Sequence, residues 1–214
     1  MLVASAEDRP LVEGAVPEGL TVAFGAAAAE GATIRFGARR LGGSERLIAA
    51  AGEGLWRRGP WPAADSLFDL ALPAPDAPAL VVDADAARRA DVGRLLEEHG
   101  VDVRLADRLR RADLEAAGTV VYPSEDGFPE TLPAVAAAGR LAVLRAATTA
   151  FGWQDGIDCL VALDANELVV LAQAASLRPL AFDAVRRMAR LAARASRASD
   201  VYARLAFDVS AGVD

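Results

Sequence analysis

Lysine is absent from this chain of 214 residues, so all 23 basic side chains are arginine. Schiff-base enzymes, lysine phosphate clamps and Walker-type nucleotide sites each depend on a lysine ammonium group. The sequence therefore excludes these three kinds of site. Abundant alanine and arginine without lysine is also typical of GC-rich coding DNA.

Cysteine and histidine are nearly absent, with one residue of each type, Cys159 and His99. A single cysteine excludes a disulfide within the chain and favours a reducing compartment, which we expect to be the cytoplasm. We interpret Cys159 as a small core residue, and His99 as the end of a helix, where its cation suits the helix dipole. One cysteine and one histidine without ligand spacing predict no metal site.

Aromatic residues make up only 6% of a chain that is 53% apolar, so its core must consist mainly of alanine, valine and leucine. A chain of this length buries enough surface to fold without a disulfide or a metal. Uncharged apolar runs end well before 18 residues, and residues 1–10 lack the pattern of a secretion signal, so we expect no membrane span. The net charge of −7 argues against a general nucleic-acid binder.

Apolar β-branched runs alternate with helical patterns along the chain. This predicts an α/β fold with a mostly parallel sheet and helices on both faces. The predicted strands are Leu20–Phe24, Thr33–Phe36, Ala79–Val82, Val101–Leu105, Thr119–Tyr122, Leu141–Leu144 and Cys159–Leu163. The predicted helices are Ser44–Trp56, Ala86–His99, Pro129–Ala138, Asn166–Ser176 and Phe182–Leu205.

Local signals mark several boundaries of these elements. Asp164 and Glu167 form a capping-box pattern before an apolar run, and Gly100 follows the predicted helix that ends at His99. Five prolines predict a loop over Arg58–Pro78. The C-terminal helix carries arginines that fall largely off its apolar stripe, which is typical of a solvated basic face; a surface for an anionic partner is the alternative.

The segment from Val121 to Gly139 is the most informative for function. It is predicted as a strand, an acidic loop with Gly127, and a helix, which places Glu125 and Asp126 at the carboxyl end of a parallel strand. Open α/β sheets bind ligands at that edge, and amides of a first helical turn, here Glu130 to Leu132, can face an anion. An ordinary polar turn with a helix cap is the alternative.

This segment resembles the family 4 retaining glycosyltransferases of the GT-B fold. Pro123-Ser124, then Asp126-Gly127-Phe128-Pro129, and finally Ala136 to Gly139 match the family's pattern, with aspartate in place of a glutamate. Upstream, Arg35 to Ile48 resembles the opening strand and helix of the same domain. The resemblance implies a single Rossmann-like domain over residues 33–214, equivalent to the family's nucleotide-sugar-binding half, preceded by an N-terminal extension over residues 1–32.

The same resemblance implies a donor site and its residues. Asp126 and Glu125 take the catalytic positions, and the donor would be a nucleotide sugar that acts as substrate, without a further cofactor. The implied donor-binding residues are Gly127, Phe128, Glu130, Thr131, Arg39 and Arg40.

Two supports of the family's donor site are missing from this sequence. The family's second glutamate, which is expected to hold the ribose, falls on Ala134 or, in a shifted register, on Pro133; its lysine would fall near Gly42. We therefore expect a degenerate donor motif, with weak activity or none in the chain alone. The alternative is a non-catalytic α/β interaction or scaffold module. Because no acceptor domain is recognisable, we also expect a homodimer or another protein partner.

Overall fold

The computed structural model describes residues 2–3, 9–24, 34–36, 47–50, 54–57, 60–125, 129–145 and 152–211, which form two five-stranded sheets and the helices around them. In the first sheet the strand order is β1-β2-β3-β5-β4, and all neighbours are parallel except the antiparallel pair β4 and β5. These strands are β1 (Leu2–Val3), β2 (Val22–Phe24), β3 (Ile34–Phe36), β4 (Leu47–Ala50) and β5 (Gly54–Arg57); a short helix, α1 (Arg9–Val12), lies between β1 and β2.

The second sheet has the order β10-β9-β8-β6-β7, and every pair of neighbours is parallel. Its strands are β6 (Ala79–Val82), β7 (Val103–Ala106), β8 (Thr119–Tyr122), β9 (Leu141–Arg145) and β10 (Leu160–Ala162). All residues of β6 and β8 are buried, as expected for strands covered on both faces. The predicted α/β fold with a mostly parallel sheet is confirmed.

Helices cover both faces of the second sheet. The longer elements are α2 (Ala86–Glu98), α3 (Arg111–Ala116), α4 (Leu132–Ala137), α5 (Ala165–Leu177), α6 (Asp183–Ala193) and α7 (Ala198–Ala211), with 3-10 turns at Asp65–Asp69, Pro179–Phe182 and Arg194–Ser196. One buried cluster joins α2 and α5 to one face. A larger cluster joins the other face to α3, α4, α6, α7 and the first sheet, so one core connects the two sheets.

Several predicted helix ends agree with the structure. Asp164 caps α5 by accepting a hydrogen bond from the Glu167 amide at 2.9 Å, while the Glu167 carboxylate accepts the Leu163 amide at 2.7 Å. Gly100 has a φ of 80°, the left-handed conformation that glycine favours after a helix.

Cys159 is fully buried, and burial raises the pKa of its thiol to about 12, which fits its interpretation as a core residue.

The predicted helix Ser44–Trp56 is wrong, because residues 47–50 and 54–57 form the antiparallel strands β4 and β5. Leu47 pairs with Arg57, and Ala50 pairs with Gly54. Glycines at positions 52 and 54 of the sequence are unfavourable inside a helix. Helix propensity of the alanine-rich run is therefore overridden by strand pairing.

The predicted helix Phe182–Leu205 is also corrected, because it is broken between α6 and α7. Backbone hydrogen bonds from the proline-rich segment make the break: the Ala63 amide donates to the Ser196 carbonyl, and the Ala198 amide donates to the Ala63 carbonyl, both at 2.8 Å. Arg197 between them has extended backbone, with φ −58° and ψ 130°. This tertiary contact is invisible in the local sequence.

The N-terminal residues contribute to the structure described above. Predicted strand Thr33–Phe36 corresponds to β3, which pairs with β2 in the first sheet rather than with the strands of the second. Leu11 and Val12 of α1 are buried in the larger cluster. The division into an extension over residues 1–32 and a domain over residues 33–214 stays a prediction.

Among the described residues, no single helix is long and apolar enough to cross a membrane. Ala165–Leu177 and Pro179–Ser196 meet that test of length and composition only when they are combined, and they are bent by 106° relative to each other.

Candidate functional site

The carboxyl edge of the second sheet has a topological switch point between β6 and β8. The chain leaves β6 through α2 on one face of the sheet and leaves β8 through α4 on the other face. Connections that diverge in this way open a crevice, which is where open α/β sheets bind ligands. Asp83 follows β6 at this edge, and Pro123, Ser124 and Glu125 follow β8.

Asp83 organises the start of α2. Its carboxylate accepts two hydrogen bonds from the Arg88 guanidinium, at 2.5 and 2.9 Å, and one from the Asp85 amide at 2.8 Å. Arg89 donates to the Asp83 carbonyl. Burial acts to raise the pKa of the Asp83 carboxyl, but the hydrogen bonds and the two arginine charges outweigh it and hold that pKa below its ordinary value.

A cavity of about 280 Å³ lies between α2 and α5, beside the ends of β8 and β9. Val92 and Leu168 supply apolar wall, and Pro123 lies at the strand end. Arg88 and Arg145 bring two cations to the cavity, and Asp91 brings one acid. The first residue of α5, Ala165, also lines the cavity, so the positive end of that helix dipole adds to the field. This combination suits an anionic group on a partly apolar ligand.

Glu125, a predicted catalytic residue, forms an ion pair with Arg145 at this edge. Its side chain is 61% exposed, whereas that of Arg145 is 25% exposed. The Arg145 Nε is buried and has no hydrogen-bond partner among the described residues. A buried donor without an acceptor is the kind of group that a ligand satisfies.

Thr131 and Glu130, two of the predicted donor-binding residues, precede α4 on the side that faces the first sheet. The Thr131 hydroxyl is 3.0 Å from the Tyr122 hydroxyl, and the Glu130 carbonyl accepts the Trp61 amide at 2.8 Å. Burial raises the pKa of the Glu130 carboxyl to about 7, which makes it able to exchange a proton near neutral pH.

The predicted anion contact at the first turn of α4 needs a correction. The helix begins at Leu132 rather than at Pro129, and the Leu132 amide already donates to the Pro129 carbonyl at 3.1 Å. That amide is therefore not available to a ligand. Pro129 fixes this local turn.

The other predicted site residues, Asp126, Gly127, Phe128, Arg39 and Arg40, lie outside the described residues. Sequence reasoning missed Asp83, Arg88 and Arg145. Asp83 and Asp85 directly after a buried apolar strand were an available signal, whereas nothing in the local sequence marks Arg145. In the described part of the chain, no group of three His, Cys, Asp or Glu residues is placed to hold a metal ion.

The sequence matches no protein-family model and no curated protein. The structure is similar to that of the pneumococcal O-GlcNAc transferase GtfA, solved in complex with UDP and GlcNAc, with a TM-score of 0.54 and 9% sequence identity. The match covers 89% of this chain and 52% of that chain, so this chain spans about half the length of the transferase. At this identity the likeness concerns the fold, and the chain therefore has a glycosyltransferase-like α/β fold.

Proposed function

We propose that this chain is a glycosyltransferase-like protein that binds a nucleotide sugar at the carboxyl edge of its second sheet. The observation that carries the proposal is the cavity beside the carboxyl ends of β8 and β9, where Arg88, Arg145 and the start of α5 surround a partly apolar space. The glycosyltransferase-like fold supports the same ligand class. Arg145 would contact the diphosphate, and the apolar wall would contact a base or sugar ring. Arg88 already donates two hydrogen bonds to Asp83, so it would add to the positive field of the cavity rather than act as a free cation.

Glu125 limits how well the cavity receives a diphosphate. The Glu125 carboxylate is already paired with Arg145, so an incoming phosphoryl group must compete with Glu125 for the Arg145 guanidinium. The position of the family's ribose-binding glutamate is occupied by Ala134, which is 3% exposed, and the alternative position by Pro133, which is also buried. A ligand hydroxyl left without a partner costs about 1–3 kcal/mol, or roughly 5–150-fold in affinity. We therefore expect donor dissociation constants in the high micromolar range or weaker.

Calorimetry on the purified full chain tests this proposal with UDP and GlcNAc, the two molecules in the structure of the neighbour, and with UDP-GlcNAc and its guanosine and adenosine analogues. Arg145→Gln should weaken binding roughly tenfold, since it removes a charge-assisted contact. Glu125→Gln should strengthen diphosphate binding because it releases Arg145. Arg104→Gln on the edge strand β7 removes the same charge at a residue that does not line the cavity, and is the matched control. Submicromolar binding would show that the ribose contact is misplaced.

A non-catalytic interaction module is the second candidate. It is favoured by the Glu125–Arg145 ion pair, which engages a predicted catalytic carboxylate, and by the burial of Ala134. Absence of binding for every nucleotide and nucleotide sugar at millimolar concentration would favour this candidate over the first.

A further inference from the structure

A second cavity, of about 450 Å³, lies where α6 meets α7. It is lined by Phe68, Arg190, Arg194, Arg197 and Asp200, and we call it the arginine cleft. Arg190 lies beside Gly139, two residues before β9 begins. The arginine cleft is therefore at the amino edge of the second sheet, opposite the proposed donor site.

The three arginines of the cleft are poorly neutralised by the protein. Arg190 donates to the Phe68 carbonyl, which carries no net charge. The Arg194 guanidinium has no hydrogen bond or ion pair with the described residues, and Arg194 is exposed. The Nε of Arg197 is 3.4 Å from Asp65, and its guanidinium lies 5.4 Å from the centre of the Phe68 ring.

The Asp65 carboxylate has other partners besides Arg197. It accepts hydrogen bonds from the Ser199 amide, at 3.2 Å, and from the Ser199 hydroxyl. Its charge is thus shared between Arg197 and the start of α7. Asp200 at the rim is the remaining acid that lines the cleft.

Two buried arginines add positive charge from the neighbouring elements. Arg140 is 2% exposed and donates only to carbonyl oxygens, those of Leu114, Ala71 and Ala138, at 2.5 to 2.8 Å. Burial, together with the charges of Arg186 and Arg190, lowers the pKa of Arg140 to about 10, and Glu115 opposes this shift.

Arg186 is 7% exposed, and the protein neutralises it poorly. Its Nε has no partner among the described residues, and its Nη1 is 3.9 Å from Asp183. These five arginines are accompanied by four acids, Asp65, Glu115, Asp183 and Asp200. Two of the acids are also paired with other arginines, Asp183 with Arg187 and Glu115 with Arg111. Most of these pairings are long, shared or solvent-exposed.

We propose that the arginine cleft binds a small anion that carries two or more phosphoryl groups. Guanidinium groups match phosphoryl oxygens through paired hydrogen bonds, and an anion would supply the negative charge that the surrounding acids do not. The cleft has room for more than one phosphoryl group. An extended polyanion such as nucleic acid is disfavoured by the net charge of −7.

Calorimetry of the full chain with inorganic pyrophosphate at low ionic strength tests this proposal. The wild type should bind, and Arg194→Gln should weaken binding roughly tenfold, because it removes a charge-assisted contact to the anion. The change should not disturb the fold, since the Arg194 guanidinium has no partner among the described residues. Asp200→Asn should strengthen binding by removing a rim carboxylate. Arg104→Gln, with the same change of charge on β7, should leave the affinity unchanged.

The variants also separate this site from the donor site. The pyrophosphate binding that Arg194→Gln weakens should persist in Arg145→Gln, because Arg145 does not line the arginine cleft. Absence of pyrophosphate binding at millimolar concentration would overturn the proposal. Equal weakening by Arg104→Gln and Arg194→Gln would also overturn it, because it would indicate diffuse electrostatic attraction. A loss of binding in Arg145→Gln but not in Arg194→Gln would overturn it as well, because it would place the anion at the carboxyl edge.

Discussion

At the scale of single residues, the contact between Asp83 and Arg88 connects the end of β6 to the first turn of α2. Asp83→Asn should destabilise the fold by about 1–3 kcal/mol at pH 7, because charge-assisted hydrogen bonds are lost while Arg88 stays partly buried. Chemical denaturation measures this. Glu98→Gln, which breaks the exposed Arg94–Glu98 pair, should cost less than about 0.5 kcal/mol. Equal costs would contradict the role given to Asp83.

The effect of Asp83 also has a defined pH dependence. Its pKa is lowered in the folded state, so its stabilising contribution is present above the ordinary pKa of 3.8 and is lost as the pH falls through the lowered folded value. The difference in unfolding free energy between the wild type and Asp83→Asn should therefore shrink below about pH 4. A difference that stays constant down to pH 2 would show that the charge of Asp83 is not involved.

Ionisation of the Glu130 carboxyl should have the opposite effect on stability, lowering it as the pH rises. Burial raises its pKa from 4.5 to about 7, so the folded state binds the proton more tightly than the unfolded chain does. Stability should therefore fall as the pH rises from about 4.5 to 7, and Glu130→Gln should be more stable than the wild type at pH 8, by an amount of the order of 2 kcal/mol. Denaturation at pH 5 and pH 8 measures the change. An advantage that is no larger at pH 8 would contradict this reasoning.

At the scale of elements, the segment after α1 lies directly against the start of α7. A Cβ placed on Gly14 would lie 2.7 Å from the Ala198 Cβ and 2.8 Å from the Ser199 amide nitrogen. Because a backbone atom cannot move aside easily, Gly14→Ala should destabilise the fold by about 1–3 kcal/mol. Thermal or chemical denaturation measures this.

The matched control is Gly93→Ala in the interior of α2. The three atoms nearest to its added Cβ all belong to the Leu105 side chain, the closest being Cδ2 at 2.7 Å. Leu105 is 51% exposed, so its side chain is able to turn away. A gain in helix propensity of about 0.5–1 kcal/mol should offset that contact, so the variant should be neutral or slightly stabilised. Equal destabilisation by Gly14→Ala and Gly93→Ala would show that the close contact between Gly14 and α7 is not the cause of the loss of stability.

The strands and helices of the second sheet could be predicted because apolar runs, caps and glycines within each segment mark them. Thr119–Tyr122 is a continuous apolar run that ends at a polar loop, and its position in the sheet placed Glu125 at the carboxyl edge as expected. The break at Arg197 could not be predicted, since hydrogen bonds from Ala63, more than 130 residues earlier in the chain, produce it. Arg145 was missed for the same reason: its importance depends on Glu125 and on the neighbouring start of α5.

At the scale of the whole molecule, the two sheets share one core, which explains how a chain poor in aromatic residues closes its interior. Phe24 stacks on Phe36 with ring centres 4.9 Å apart, and Trp61 meets Phe24 edge-on at 5.5 Å. Three of the few aromatic residues are thus concentrated beside the first sheet. The face of the second sheet toward α2 and α5 has a buried core of alanine, valine and leucine, as the composition indicated.

Self-association or a protein partner is the remaining expectation, and an exposed apolar surface around α6 is where it can be tested. Met188 and Leu191, three residues apart and therefore on one side of α6, are 46% and 54% exposed, while Leu180 in the preceding turn is 82% exposed. Exposed apolar residues that cluster commonly mark a contact surface.

Light scattering at several micromolar concentrations should detect a dimer, and the double substitution Leu180→Ser and Leu191→Ser should shift the protein to monomer. Leu163→Ser, at a leucine that follows β10 and is 75% exposed, should leave the dimer intact. A monomer at every concentration would remove the case for self-association, and a dimer unaffected by the paired substitutions would place its interface on another surface.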